Sequence, residues 1–179
     1  MIARLADAPT LETRRLTLRA PRLEDFETWA RFAASDRARH LGGPHDYGTA
    51  WRSFAHVAGQ WAMRGYGSFV FHRKGSEAPL GMTGPWHPIH WPEQELGWTI
   101  WDETTEGAGL AFEAASCARD HAFRDLGWPT AVSYIADDNP RSIALAERLG
   151  ATRDKTAAHP HPERTDILVY RHAPPKVLQ

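Results

Sequence analysis

The run Glu106-Gly107-Ala108-Gly109-Leu110-Ala111 leads into a helix-forming stretch with two glycines and no lysine. The first turn of a helix carries backbone N–H groups without intrahelical acceptors and a partial positive charge, so it can hold a phosphate with no basic side chain. Gly107 and Gly109 remove the Cβ atoms that would keep an anion off the amides, and Ala111 keeps the following turn slim. A plain turn into a helix accounts for the same letters. Spacing excludes two familiar phosphate loops. A P-loop needs lysine and then Ser or Thr after its last glycine, and Leu110 and Ala111 stand there instead. A dinucleotide-binding turn needs a third glycine where Phe112 stands.

Other residues invite metal or nucleophile chemistry and fail on context. His87 and His90, and His159, His161 and Glu163, have spacings that could chelate. No further ligand lies in register and the neighbouring prolines indicate loops, so no metal site is expected. Cys117 is the single cysteine, with no histidine or carboxylate beside it at a nucleophile's spacing. It reads as a small apolar residue on a helix.

The elements that must position the glycine run follow from periodicity. "RRLTLRA" alternates Leu16 and Leu18 with polar residues and predicts a strand; "LEDFETWARFAAS" and the segment from Thr49 to Met63 predict amphipathic helices, the second ended by Gly65. "GSFVFHR", "PLGMTG" and "ELGWTIW" predict strands, while the three prolines of "PWHPIHWPEQ" argue against a regular central strand there. After the glycines, Leu110, Ala114, Ala118, Ala122 and Leu126 recur every four residues, a stripe whose small side chains let a helix lie close to a sheet. "TAVSYIA" and "TDILVYR" predict strands around a helix in "NPRSIALAERLG", with Asn139 as N-cap and Pro140 in the first turn. The order implies a mixed α/β or α+β layer of helices on one main sheet. "AAHPHPE" predicts a mobile loop, and "HAPPKVLQ", with residues 173–179, a loose tail.

Composition bounds the function. With 179 residues, 42% of them hydrophobic, the chain suits one domain with a sizeable core. Its formal charge of -1 lacks the basic footprint of a nucleic-acid or anionic-membrane binder, and Arg14-Arg15 and Arg37/Arg39 read as solvated faces. No run is apolar enough for a leader core or a membrane span, so a cytoplasmic location is expected.

The ordered set "ELGWTIW", "EGAGLAFEA" and "LGWPTAVSYIADDNPRSIALAERLGA", together with "LETRRLTLRAPRLEDFETWARFAAS", "HLGG" and "WAMRGYGSFVFHR", resembles the GCN5-related N-acetyltransferases (GNAT). More narrowly, it is similar to the branch that acetylates ribosomal-protein N-termini. The resemblance implies a single domain over residues 1–179, built on a mostly antiparallel, splayed sheet flanked by helices. It implies acetyl-CoA as co-substrate without a metal, a primary amine as acceptor (a protein N-terminus or a small molecule), and a monomer or homodimer. A non-catalytic acyl-CoA-binding domain of the same fold is the alternative.

The family's pyrophosphate loop, [Q/R]-x-x-G-x-[G/A], falls on Glu106 to Ala111. The amides from Gly107 through Ala108, Gly109 and Leu110 to Ala111 would hold the pyrophosphate, whereas Glu106 and Ala108 replace side chains that are usually polar or basic. Backbone groups of Thr99, Ile100 and Trp101 are the implied pantetheine contacts, and Asn139 an implied cofactor contact, although an N-cap role explains Asn139 as well. Glu95 stands where these enzymes often carry a carboxylate near the acceptor amine, and is equally a strand-edge carboxylate. The family's tyrosine acid falls on Ala146, so the phenol is absent. Ser142 would take that role, unless its hydroxyl merely bonds the helix backbone. Trp86, Trp91, Trp98 and Trp101 could wall an apolar or aromatic acceptor; core packing or a dimer contact explains them too.

Overall fold

The computed structural model describes residues 8–174; most of the expected tail lies outside them. The strands are β1 (Leu11–Glu12), β2 (Leu16–Arg19), β3 (Phe69–Arg73), β4 (Gly81–Trp86), β5 (Glu95–Ile100), β6 (Ala131–Ala136), β7 (Thr152–Arg153) and β8 (Ile167–His172). The helices are α1 (Phe26–Ala33), α2 (Tyr47–Arg64), α3 (Leu110–Arg124) and α4 (Pro140–Arg148). Two caps explain two helix starts. Asp46 accepts from the Thr49 N–H at 2.9 Å and starts α2 two residues before the hydrophobic pattern begins. Asn139 accepts from the Ser142 N–H at 3.2 Å, and Pro140 occupies the first helical position of α4, where a missing N–H costs nothing.

All eight strands form one open sheet in the order β1-β2-β3-β4-β5-β6-β8-β7. Every pairing is antiparallel except β5 with β6, which run parallel and share the single register pair Glu95–Val132. Beyond that bridge the two strands splay. A buried polar staple marks the vertex. Ser133 Oγ donates to the Leu96 carbonyl at 2.6 Å and lies 3.0 Å from His172 Nε2, so it accepts from an Nε2–H and ties β5, β6 and β8 together.

One expectation is corrected here. Pro85 and Trp86 belong to the central strand β4, opposite Leu96 and Glu95. The strand tolerates the proline because β3 pairs only as far as Thr83, so the edge on which Pro85 lacks an N–H has no ladder left to lose.

The sheet buries both faces. Leu16, Leu18, Phe69 and Phe71 meet the four-residue stripe of α3, whose Ala114, Ala118 and Ala122 are fully buried. Val70 and Met82 on the opposite face pack under Phe26, Trp29, Phe54 and Val57 of α1 and α2.

Burial lowers the His172 pKa from 6.5 to about 4, and the nearby Arg119 charge adds to the effect. The unfolded chain therefore takes up this proton near 6.5 while the folded chain resists it, so the stability tied to neutral His172 is lost as pH falls from about 6.5 toward 4. The expected loss is at most about 3 kcal/mol. In urea titrations, wild type should lose more stability than His172→Gln between neutral pH and pH about 4.5; equal losses would remove His172 from the account.

Candidate active site

Glu95 opens β5 at the vertex of the splay, on the sheet face shared with α1 and α2, directly across from Trp86. It is half-buried, and desolvation pushes its carboxyl up to about 7 even though Trp91 Nε1–H donates to Oε2 at 2.5 Å and the Tyr134 N–H faces it. The Tyr134 hydroxyl is buried without a hydrogen-bond partner, and burial with the charges of Glu93 and Glu95 pushes its pKa up. Arg171 neutralises Glu93 through bonds of 2.7 and 2.9 Å and holds Asp154 at 2.8 Å.

Backbone direction alternates along β5, and the observed bonds fix its phase. Val132 N–H bonds the Gln94 carbonyl and Ser133 bonds the Leu96 carbonyl, so even-numbered residues address β6. Trp98 and Ile100 therefore present backbone groups to the open side of the splay. Thr99 and Trp101 do not: Thr99 pairs with Met82 in β4, and the Trp101 N–H bonds the Leu80 carbonyl at 2.8 Å. The Ile100 and Trp101 carbonyls also accept from Arg37 at 3.0 and 2.7 Å. Of the three expected backbone contacts only Ile100 faces the gap, and Trp98 joins it.

Trp98 leaves the opposite face from Glu95, three residues away on the strand, and its Nε1–H donates to Ser142 Oγ at 3.2 Å. Ser142 is thus on the α4 side of the splay and Glu95 on the other. The Asn139 side-chain oxygen is engaged in capping α4. Ala146 is fully buried among Ile135, Ala151 and Tyr170, so that position faces the core.

A short 3-10 turn, Glu103–Thr105, precedes the glycine run, which turns the chain into α3. Gly107 and Gly109 have φ of +75 and +73, where a side chain would be strained, and α3 begins after Gly109 with no side-chain cap. Glu113 N–H is the first to return to the Gly109 carbonyl, which leaves the amides of Leu110, Ala111 and Phe112 without helical acceptors. The reading of the arginines as solvated fits Arg14 and Arg39, which are exposed, and is corrected for Arg15 and Arg37. Arg15 bonds the Ala108 carbonyl at 3.0 Å and Glu113 at 2.6 Å. Arg37 and Arg141 each hold a Glu106 oxygen at 2.6 Å, so Glu106 does not simply point to solvent.

The four tryptophans do not make one wall. Trp101 is core beside Trp29, Trp86 stacks near His56, and Trp98 packs toward α4. Of the four, Trp91 is the one that hydrogen-bonds Glu95, with the His90 and His161 ring centroids 4.5 and 5.9 Å from its own. Among the described residues no group of three His, Cys, Asp or Glu is arranged to hold a metal, and no helix is long and apolar enough to cross a membrane.

The GNAT acetyltransferase domain model matches residues 15–152. The chain belongs to the GNAT acetyltransferase family. An acetyltransferase from Agrobacterium tumefaciens is 41% identical, with a TM-score of 0.85 over 92% of this chain and 94% of that one. A protein of Bordetella pertussis described as a GNAT-family acetyltransferase is 25% identical, with a TM-score of 0.76 over 92% and 99%. The ribosomal L7/L12 α-N-protein acetyltransferase RimL, solved with coenzyme A, shares the fold at 18% identity and a TM-score of 0.72 over 93% and 98%. In this GNAT chain, Tyr134 and Arg141 carry no signal in the sequence, while Trp91 and Trp98 are indicated only as candidate acceptor walls and Arg37 only as a solvated residue. Strand alternation could have indicated Trp98; nothing in the local sequence pairs the others with their partners.

Replacing Trp91 with Phe removes a donor to the ionised carboxylate and keeps the ring. Its effect is to raise the Glu95 titration midpoint above the present value of about 7. Carboxyl NMR titration of wild type and Trp91→Phe reads this directly, and an unmoved midpoint would show that the contact does not tune Glu95.

Proposed function

We propose that this GNAT enzyme transfers the acetyl group of acetyl-CoA to a primary amine, a protein N-terminus or a small molecule, by direct attack in a ternary complex. The observation that carries this reading is Glu95, a half-buried carboxyl pushed up to about 7 at the vertex of the splay. Such a group is ionised in a substantial fraction at neutral pH, yet basic enough to take a proton from an ammonium.

Acetyl-CoA fits the observed geometry. The uncapped amides at the start of α3, together with those of Gly107 and Gly109, suit a pyrophosphate, and the space beside Gly107 is open, whereas the expected Ala108 N–H contact is taken by the Thr105 carbonyl at 3.4 Å. Backbone groups of Trp98 and Ile100 would pair with the amides of the pantetheine arm. Bound there, the thioester supplies an activated carbonyl. Glu95 accepts the proton that makes the amine a nucleophile; the C–N bond forms and the C–S bond breaks. Ser142 Oγ receives the Trp98 N–H, which leaves its own O–H directed elsewhere and available to the departing sulfur. Asn139 holds the first turn of α4 that carries Ser142. Trp91 and His161 line the acceptor side around Glu95.

Mass-spectrometric identification of the acetylated amine, paired with thiol release, tests the reaction. The rate should rise with pH through about 7, the value of the Glu95 carboxyl. Glu95→Gln should lower kcat by roughly 100-fold and erase that limb. Ser142→Ala should lower kcat with little change in the acceptor KM. An unchanged pH-rate profile in Glu95→Gln removes the base, and acetyl-CoA binding without turnover across an amine panel returns a non-catalytic acyl-CoA-binding domain.

A further inference from the structure

Glu106 occupies an unusual place for an anion. It begins the loop whose following amides suit a pyrophosphate, yet its two carboxylate oxygens are taken by guanidinium groups from two other parts of the chain. Arg37, in the 3-10 turn Asp36–Leu41, donates to Oε1, and Arg141, in the first turn of α4, donates to Oε2, both at 2.6 Å. The two arginines differ in how they are held. Arg37 is also fixed to the Ile100 and Trp101 carbonyls, so it is part of the frame. Arg141 has an 81% exposed side chain and makes no other hydrogen bond among the described residues.

The Glu106–Arg141 pair crosses from the β5–α3 loop to the start of α4, which are the two sides of the mouth of the splay. A coenzyme whose phosphates sit on the loop and whose arm runs into the splay must pass between them. A guanidinium fork donates to phosphoryl and carboxylate oxygens with the same geometry, and both the terminal 3′-phosphate and the two-group pyrophosphate bridge carry more charge in total than the one carboxylate displaced.

Resting on the reading of the loop as a coenzyme A site, we infer that Arg37–Glu106–Arg141 is an anion-exchange latch. Glu106 holds Arg141 across the mouth in the free protein, and a phosphoryl group of the coenzyme takes Arg141 from it on binding. Arg141 is then a phosphate-binding residue, and Glu106 an internal competitor for it. The departure from the usual polar or basic residue at position 106 is compensated by cations that come from outside the loop.

The latch makes a prediction of opposite signs. By calorimetry with coenzyme A, Arg141→Ala should bind about fivefold to tenfold more weakly than wild type. Glu106→Gln, which keeps the side-chain shape and removes the charge, should bind about threefold to fivefold more tightly, the size of a partly exposed ion pair. Dephospho-coenzyme A distinguishes the phosphates: a loss in Arg141→Ala that disappears with this probe assigns Arg141 to the 3′-phosphate, and one that persists assigns it to the pyrophosphate. Weaker binding in Glu106→Gln would make the cluster a scaffold and overturn the latch, as would unchanged affinity in Arg141→Ala. Inorganic pyrophosphate separates this idea from the wider one. If wild type binds pyrophosphate with the same signs in the two variants but does not bind coenzyme A, the latch stands and the coenzyme reading falls; if it binds neither, both fall.

Discussion

β5 and β6 meet at Glu95 and Val132 and then part, and every feature of the candidate site follows from that divergence. A strand whose neighbour has left carries backbone donors and acceptors that still require partners. Here the open groups are the N–H and carbonyl of Trp98 and the N–H of Ile100, whose carbonyl Arg37 takes, on an edge inside the sheet. The divergence starts at a defined place because Ser133 bonds the Leu96 carbonyl and His172 bonds Ser133, a buried chain that closes the last position at which the strands are in reach. Burial keeps His172 neutral, so the vertex is held without a charge inside the core.

The gap also sorts chemistry by face. Successive residues of a strand point to opposite sides, so Glu95 and Trp98 address different compartments from one short element. Glu95 lies with Trp91, Tyr134 and Trp86 on the side of α1 and α2, in surroundings that raise its pKa. Trp98 carries a hydrogen bond to Ser142 on the α4 side. Glu95 and the Ser142 hydroxyl thus lie on opposite sides of a space lined by backbone groups of Trp98 and the Ile100 N–H, the arrangement on which the proposed acyl transfer rests.

Charge is arranged by the tertiary structure with little regard to sequence position. The chain is nearly neutral, with 21 Lys and Arg against 22 Asp and Glu, yet Arg15, Arg37 and Arg141 converge near one helix start. Arg15 also secures Glu113 in the first turn of α3, a favourable place for a carboxylate. Ion pairs with this much solvent access add little stability; their consequence is to hold the loop and the start of α4 in a fixed relation.

Periodicity alone determined most of the elements, because apolar steps of two and of about four report which residues a strand or a helix can bury on one side. It determined the α3 stripe, the Asn139 cap and the helix start beside Gly107 and Gly109. The ordered motifs determined the family, and Glu95 and Ser142 could be named as candidates before any contact was visible. Short strands such as β1 and β7 carry too few residues to show a period, and Pro85 concealed the end of β4 because its tolerance depends on where the neighbouring strand stops. The phase of the backbone along β5 was beyond the sequence, since it is set by which residue of β6 bonds which carbonyl. So was the role of the arginines: Arg37 is 69 residues from Glu106, and Arg141 is 35 residues from it on the other side. Local sequence fixes which groups are present and which faces they take, whereas a partner, a perturbed pKa or a shared anion exists only after distant segments have been packed to within hydrogen-bond distance.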